Sequence, residues 1–403
     1  MKVVILSGTC SKEKYKKIFE ERTRKFIDPS QKFFYLLVRG MCENNNEITC
    51  ISMLPISGSS HLKRIWRTFE EKVENIAFIY PGFINKGILR LISGLFTMLI
   101  QTFREVRKFN RKEQVVLYDP TSLNNSVVAL FIKKIMKIRI VALITDIPSL
   151  ATVIGHRKQN FLKRYLQKLY DFFADYLLEK ADGYIFLTEA MNELVNKNKK
   201  PYIIIEGSVD FEISKLKIQR TKKDEPKSIV YAGGIHEKFG VIKLAEAFMR
   251  INLKEYELHI YGAGEGVEII KEFEKKYKNI KYKGVLPVEK IVEKEIRATL
   301  LVNPRPVNEE FVKYSFPSKT LEYMVSGTPL LTTKLSGIPK EYFNYVYTFE
   351  EDTVDSMTDA LNNILCLKEE ELIYKGKKAR EYVLKNKNNI IQGQRIIDFL
   401  KEV

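Results

Sequence analysis

Apolar residues along this chain fall in short, nearly unbroken runs, separated by longer stretches with the spacing of amphipathic helices. In the first half the runs are Val3–Leu6, Glu47–Met53, Asn75–Ile79, Val115–Tyr118, Ile138–Ile144, Gly183–Leu187 and Tyr202–Ile205. Helix-length segments such as Ser126–Lys137 and Asn160–Lys180 lie between them. The second half restarts the alternation with strand Ser228–Tyr231, helix Val241–Ile251, strand Glu257–Tyr261 and helix Glu268–Tyr277. Strands at Ile280–Tyr282, Thr299–Asn303, Pro329–Thr332 and Tyr345–Thr348 continue it. A strand that is apolar along its whole length must be covered on both faces, so the pattern predicts parallel α/β sheets wrapped by helices. The charged, Pro-containing stretch Lys215–Lys227 separates the two series.

The length of 403 residues accommodates two such domains, and the composition is that of a folded protein. Charge changes the picture. Residues 1–200 hold 34 Lys and Arg against 19 Asp and Glu, whereas residues 201–403 hold 33 against 31. The net charge of +17 therefore belongs almost wholly to the first half, where it serves either an anionic partner or a solvated surface; segregation favours the partner. No nucleic-acid motif accompanies it, and aromatics are not interleaved with the basic runs in a stacking pattern, so nucleic acid is not the expected partner. Four cysteines without a C-x-x-C pair indicate neither a disulfide framework nor structural zinc, which fits a reducing cytosol. Val3–Leu6 is too short for a signal-peptide core and reads as a buried strand.

The longest apolar stretch, Leu91–Ile100, falls well short of the roughly 20 residues that cross a bilayer. Continued to Phe109 it reads as a helix with Arg90, Arg104, Arg107 and Lys108 at its ends. Either it belongs to the core of the first domain or it lies on an anionic surface.

Candidate chemistry gathers in three loops that leave strands of the second half, where backbone N–H groups and helix N-termini favour anions. The first, Tyr231–Gly240, pairs Gly233 with Gly234 and carries Lys238; His236 is either a surface residue or a catalyst. The second, Tyr261–Gly266, contains Gly262 and Gly264 but has Val267 where a dinucleotide fingerprint has its third glycine, so it is either a ligand loop or a tight turn between strand and helix. The third combines Asn303-Pro304-Arg305-Pro306 with Lys313–Pro329. Here Ser318 is expected to cap a short helix Lys319–Ser326 that Gly327 and Pro329 terminate. The amides of Ser318–Thr320, with Lys319, Lys238 and Arg305, are placed to neutralise a diphosphate, and Glu322 either accepts hydrogen bonds from sugar hydroxyls or is a helix-surface carboxylate that offsets the dipole. No Asp-x-Asp pair suggests a metal site, and no metal or other cofactor is expected.

The run Phe316-Pro317-Ser318-Lys319-x-x-Glu322-Tyr323-Met324-x-x-Gly327-x-Pro329 resembles the donor-site signature of glycosyltransferase family 4, the retaining nucleotide-sugar transferases of GT-B fold. Tyr231-Ala232-Gly233-Gly234, Tyr261-Gly262-x-Gly264, Lys283-Gly284-Val285-Leu286 and Ser336-Gly337-Ile338-Pro339-x-Glu341-Tyr342 agree in order. Thr145-Asp146-Ile147-Pro148, Leu187-Thr188-Glu189-Ala190-Met191 and Glu206-Gly207 resemble bacterial polysaccharide-synthesis members.

The resemblance implies two Rossmann-like doubly wound domains facing a cleft: an acceptor domain over 1–207, a donor domain over 208–385, and a terminal helix over 386–403 returning to the first domain. It implies that Glu322 holds the donor ribose, that Lys238 meets the diphosphate, and that Gly262, Gly264, Val285 and Leu286 shape the base pocket. Two positions depart from the family pattern. Tyr314, followed by Ser315, stands where the first Glu of a two-Glu motif would bind the transferred sugar, and Gly233 or Gly234 stands where an upstream arginine is usual. Arg305 is the candidate to replace that charge, and Glu309 or Glu310 the missing carboxylate. Asp146 is a candidate for acceptor positioning or proton transfer, or a structural turn residue.

The implied reaction transfers a sugar to a saccharide acceptor, typically lipid-linked, at the inner face of the membrane. Lys63, Arg64 and Arg67, the 86–112 segment, and Lys133, Lys134, Lys137 and Arg139 would meet anionic headgroups there. The rival readings are a catalytically weakened GT-B subunit that supports a partner transferase, and a GT-B sugar epimerase.

Overall fold

The computed structural model describes residues 1–21, 29–56, 61, 63–147, 161–215, 227–308 and 310–403. Pro148, Asn160, Glu309 and most of the Lys215–Lys227 connection lie outside the described residues. The chain divides into two units, one comprising residues 1–208 and 389–403, the other residues 209–388. Each is built on its own mostly or wholly parallel sheet.

The strands of the first unit are β1 (Lys2–Ser7), β2 (Glu47–Ser52), β3 (Ile65–Trp66), β4 (Phe69–Val73), β5 (Ile76–Tyr80), β6 (Phe83–Ile84), β7 (Gln114–Tyr118), β8 (Arg139–Ile144), β9 (Gly183–Phe186) and β10 (Tyr202–Ile204). The main sheet runs β10-β9-β8-β7-β1-β2-β5-β4, and only the β4–β5 pair is antiparallel. Central strands β1 and β7 are buried along their whole length. The single charge on β1 is compensated, since Lys2 Nζ donates to Glu47 Oε1 at 2.9 Å and to Thr49 Oγ1 at 2.7 Å. β3 and β6 form a separate antiparallel ribbon in which Trp66 stacks on Phe83.

Helix Asn389–Glu402 completes this unit by packing on helix Pro29–Glu43. The crossing is close enough that a Cβ on Gly40 would fall 1.7 Å from the Asn389 carbonyl oxygen, and one on Gly393 2.3 Å from the Gly40 carbonyl carbon. Ile396, Ile397, Phe399 and Leu400 then enter the same core as Val3, Ile5 and Val38.

The second unit contains β11 (Lys227–Ala232), β12 (Tyr256–Tyr261), β13 (Ile280–Gly284), β14 (Leu300–Asn303), β15 (Leu330–Thr333) and β16 (Tyr347–Phe349), all parallel. Their order, β13-β12-β11-β14-β15-β16, is that of a Rossmann sheet. Strand order reverses between β11 and β14, and the loops leaving those two strands open the crevice where such sheets bind ligands. Beneath it, Ile229, Leu258, Leu300 and Phe248 are completely or almost completely buried. Among the described residues, no helix is long and apolar enough to cross a membrane.

Candidate active site

Past the ends of β11 and β12 the two loops remain hydrogen-bonded to each other. Gly233 N–H donates to the Tyr261 carbonyl (2.9 Å), Ile235 N–H to Ala263 (2.8 Å) and Gly266 N–H to Ile235 (2.9 Å). On the far side Gly262 N–H donates to Gly284 (2.8 Å), and the Tyr282 hydroxyl donates to the Gly262 carbonyl at 2.9 Å. Gly262 has φ +136°, and a Cβ there would lie 1.7 Å from the Gly233 carbonyl oxygen. Only glycine lets these backbones meet. The glycines noted in the sequence thus form a layered, internally bonded floor.

Helix Ser318–Ser326 stands over that floor. Pro317, not Ser318, occupies its N-cap position, with no side-chain capping bond; Ser318 is the first helical residue and is exposed. Thr320 N–H is taken by the Pro317 carbonyl at 2.8 Å, so Ser318 and Lys319 carry the first-turn amides left to an anion. Two side chains of this helix grip one peptide unit. The Tyr323 hydroxyl accepts from Ala232 N–H (2.9 Å) and donates to Ala232 O (3.1 Å), while Lys319 Nζ donates to the same oxygen.

The Lys319 ammonium lies directly beside Gly233, where a Cβ would come within 2.6 Å of it, and 6.0 Å from the centre of the Tyr231 ring. The Tyr231 hydroxyl in turn donates to the Gly234 carbonyl at 2.7 Å. Burial holds the Lys319 ammonium below its ordinary pKa of 10.5; the carboxylates of Glu322 and Glu295 oppose that shift, and Arg305 adds to it.

Arg305 leaves the end of β14 and is flanked by two rings, its guanidinium carbon 5.0 Å from the Phe239 centroid and 5.6 Å from that of Phe311. Burial pulls its pKa down, and Tyr231 opposes that shift. Two partly desolvated cations at the mouth of the sheet favour an anion there, because water screens them less than it does a cation on the open surface. Lys238, in the turn Glu237–Phe239, is exposed at the rim, 5.6 Å from the Phe239 ring. It borders a surface hollow shared with Glu265, Lys243, Asn308 and Asp352. Glu265 contacts His236, and its carboxyl is held below the usual range, chiefly by its own backbone N–H and then by the His236 side chain.

Other expected site residues sit around this centre. Gly264 packs against the Ile235 carbonyl, Val285 and Leu286 follow β13 with Val285 exposed, and Glu322 is half-buried. Tyr314 ends the 3-10 turn Glu310–Tyr314, and the Ser315 hydroxyl after it is buried without a hydrogen-bond partner among the described residues. Asp146 follows β8 of the first unit and is exposed. Lys63, Arg64 and Arg67 flank β3, and Arg104, Arg107 and Lys108 end helix Gly87–Val106; all are exposed, whereas Arg90 is partly covered and lies over Phe83. Among the described residues, no cluster of His, Cys, Asp and Glu is placed to hold a metal ion.

Glu295, absent from the expected site, is a buried carboxylate on helix Val288–Arg297 whose field reaches both Lys319 and Tyr323. An acid at an apolar position of that helix was the available signal. The aromatic holders Phe239 and Phe311 are likewise unexpected, because pattern alone does not separate them from core residues.

Residues 226–366 match the sequence model of a family described as Glycosyl transferases group 1. No curated protein sequence matches the chain. Among solved structures, sucrose-phosphate synthase from Thermosynechococcus elongatus superposes with a TM-score of 0.67 at 12% identity, covering 100% of this chain and 99% of that one. Anabaena Alr3699/HepE in complex with UDP gives 0.60 at 11% identity, covering 100% of both chains. The lipopolysaccharide outer core galactosyltransferase WaaB, in its apo form, gives 0.61 at 11%, covering 100% of this chain and 99% of that one. The fold is therefore that of the GT-B glycosyltransferases, with two Rossmann-like domains, and the family match with these neighbours supports a glycosyltransferase.

Proposed function

We propose that the protein is a retaining glycosyltransferase that moves a sugar from a nucleoside diphosphate sugar to a hydroxyl of a lipid-linked saccharide acceptor in cell-surface polysaccharide synthesis. The observation that carries the reading is a pair of half-buried cations where strand order reverses: Lys319, whose ammonium lies beside Gly233, and Arg305, held between Phe239 and Phe311 just past β14. The group 1 match over 226–366 and a structural neighbour bound to UDP support a nucleotide-sugar donor.

In this reaction the bond between the anomeric carbon and the diphosphate oxygen breaks, positive charge develops on the sugar, and the diphosphate leaves with the bonding pair. Lys319, Arg305 and the Ser318 and Lys319 amides stabilise that leaving group without a divalent ion. Arg305 thereby takes over the charge missing at Gly233 and Gly234. Lys238 reaches in from the rim, and Glu322 accepts hydrogen bonds from the ribose. Tyr314 replaces a carboxylate with a neutral phenol beside the transferred sugar, so donor orientation there rests on fewer charged hydrogen bonds. Asp146 positions the acceptor hydroxyl or takes its proton.

Thermal denaturation with a panel of nucleoside diphosphates tests the donor site, because a ligand bound to the folded state raises its melting temperature. A stabilising nucleotide is expected, followed by transfer with net retention when its sugar conjugate is incubated with membrane lipid extract. Glu322→Ala should lower transfer by roughly 100-fold or more while leaving the fold intact. The absence of any stabilising nucleotide overturns the reading. Donor binding without transfer or hydrolysis replaces it with the weakened-subunit alternative that Tyr314 suggests.

A further inference from the structure

The geometry points to a bilayer-docking face on the first unit, made of the β3–β6 ribbon, helix Gly87–Val106 and helix Leu123–Met136, whose partner is a lipid surface bearing anionic headgroups. The proposal goes beyond the donor-site reading and stands apart from it. Helix Gly87–Val106 buries Gly94, Met98 and Thr102 and turns the opposite row, Ile88, Ile92, Phe96 and Ile100, to solvent at i, i+4 spacing. Ile92 is 59% and Phe96 65% exposed, more than a helix covering a sheet ordinarily leaves bare.

Two neighbours extend the row. Helix Leu123–Met136, packed alongside, exposes Phe131 and Ile135, and the ribbon, which contacts the start of helix Gly87–Val106, exposes Ile65 and Ile84. Residues 86–112 and 133–139 together carry eleven Lys and Arg and one acid, Glu105, which is buried and bridged to Lys108. Arg104, Arg107 and Lys108 end the first helix, Lys134 and Lys137 the second, and Lys63, Arg64 and Arg67 border the ribbon; all are exposed.

Aliphatic rows edged by cations of one sign suit an interface of acyl chains and anionic phosphates. A nucleic acid would leave Ile88, Ile92 and Ile135 facing phosphate and water. A second copy of the same face would bring like charges together. The exposed row is too short to span and has the form of a face that lies on the surface.

The test uses the full chain and sedimentation with vesicles of phosphatidylcholine alone or with 30% phosphatidylglycerol. Binding to the anionic vesicles at low salt is expected, with at least about a tenfold loss either in neutral vesicles or at 0.5 M salt. The double variant Ile92→Ser/Phe96→Ser should lose about tenfold with an unchanged melting temperature, since both side chains face solvent. Arg104→Glu/Arg107→Glu should lose at least as much. Equal binding to both vesicle types, no effect of either double variant, or a dimer in sedimentation equilibrium that Ile92→Ser/Phe96→Ser abolishes would overturn the proposal. Nucleotide stabilisation in the same variants stays intact whichever way the vesicle test falls, which separates this proposal from the donor-site reading.

Discussion

Lys319 Nζ donates to the carbonyl oxygen of Ala232, 87 residues earlier in the chain, and so holds its ammonium beside Gly233, at the mouth of the second sheet. This contact sets a cation against the paired glycines of a loop whose own Lys238 lies out at the rim. It also ties helix Ser318–Ser326 to the end of β11.

Replacing that cation tests its role. Lys319→Met should leave the fold in place, because Tyr323 keeps its bonds to both polar groups of Ala232. Turnover should fall by roughly 100-fold, the scale of losing one preorganised charge stabiliser. Stabilisation by a nucleoside diphosphate should fall with it. Calorimetric titration and steady-state rates check both.

The depressed Lys319 pKa gives a pH dependence of definite sign. Between its folded value and the unfolded value near 10.5, the unfolded chain binds more protons, so Lys319 contributes a gain in folding stability as pH rises through that window. Diphosphate binding works the other way: it favours the ammonium, takes up a proton in the same window, and weakens as pH rises. Titration of nucleotide in two buffers of different ionisation enthalpy, at a pH inside the window, should show this uptake in the wild type and lose it in Lys319→Arg.

Tyr323→Phe removes a fully buried hydroxyl that serves both Ala232 N–H and Ala232 O. Leaving that N–H unpaired costs about 1–3 kcal/mol. The urea midpoint should fall accordingly, with the slope of the transition unchanged.

Gly262→Ala combines an unfavourable φ of +136° with a Cβ 1.7 Å from the Gly233 carbonyl oxygen. The backbone has to move, at a cost of roughly 2 kcal/mol or more. The bonds that join the two glycine loops should break with it, so melting temperature and nucleotide stabilisation should drop together.

Much of the architecture is legible along the chain because parallel strands covered on both faces announce themselves as apolar runs. The apolar runs Val115–Tyr118 and Thr299–Asn303 lie within a residue of β7 and β14 for that reason. β4 carries no such signal: Phe69–Val73 places Glu70, Glu71 and Lys72 in succession, the composition of an antiparallel edge with no cover to demand apolar residues. The short ribbon β3–β6 is invisible for a similar reason, since two-residue strands carry no period.

The site was legible as a set of loops, while its wiring was not. Ser318 looks like a cap by type, yet capping depends on where its hydroxyl points, and Pro317 takes the position. Nothing in residue order links Tyr323 to Ala232, or sets Arg305 between Phe239 and Phe311. Those relations follow from the 3-2-1-4-5-6 strand order, which brings distant loops to one edge.

The crossing of Gly40 with Gly393 bears on how the protein comes into being. Ile396, Ile397, Phe399 and Leu400 belong to the core of the first unit, yet they leave the ribosome after every residue of the second. The first-born half therefore waits, its groove beside helix Pro29–Glu43 uncovered, while the whole of the second unit, which precedes that last helix in the chain, is synthesised. Nascent chains stalled before residue 389 should be the ones that chaperones hold longest.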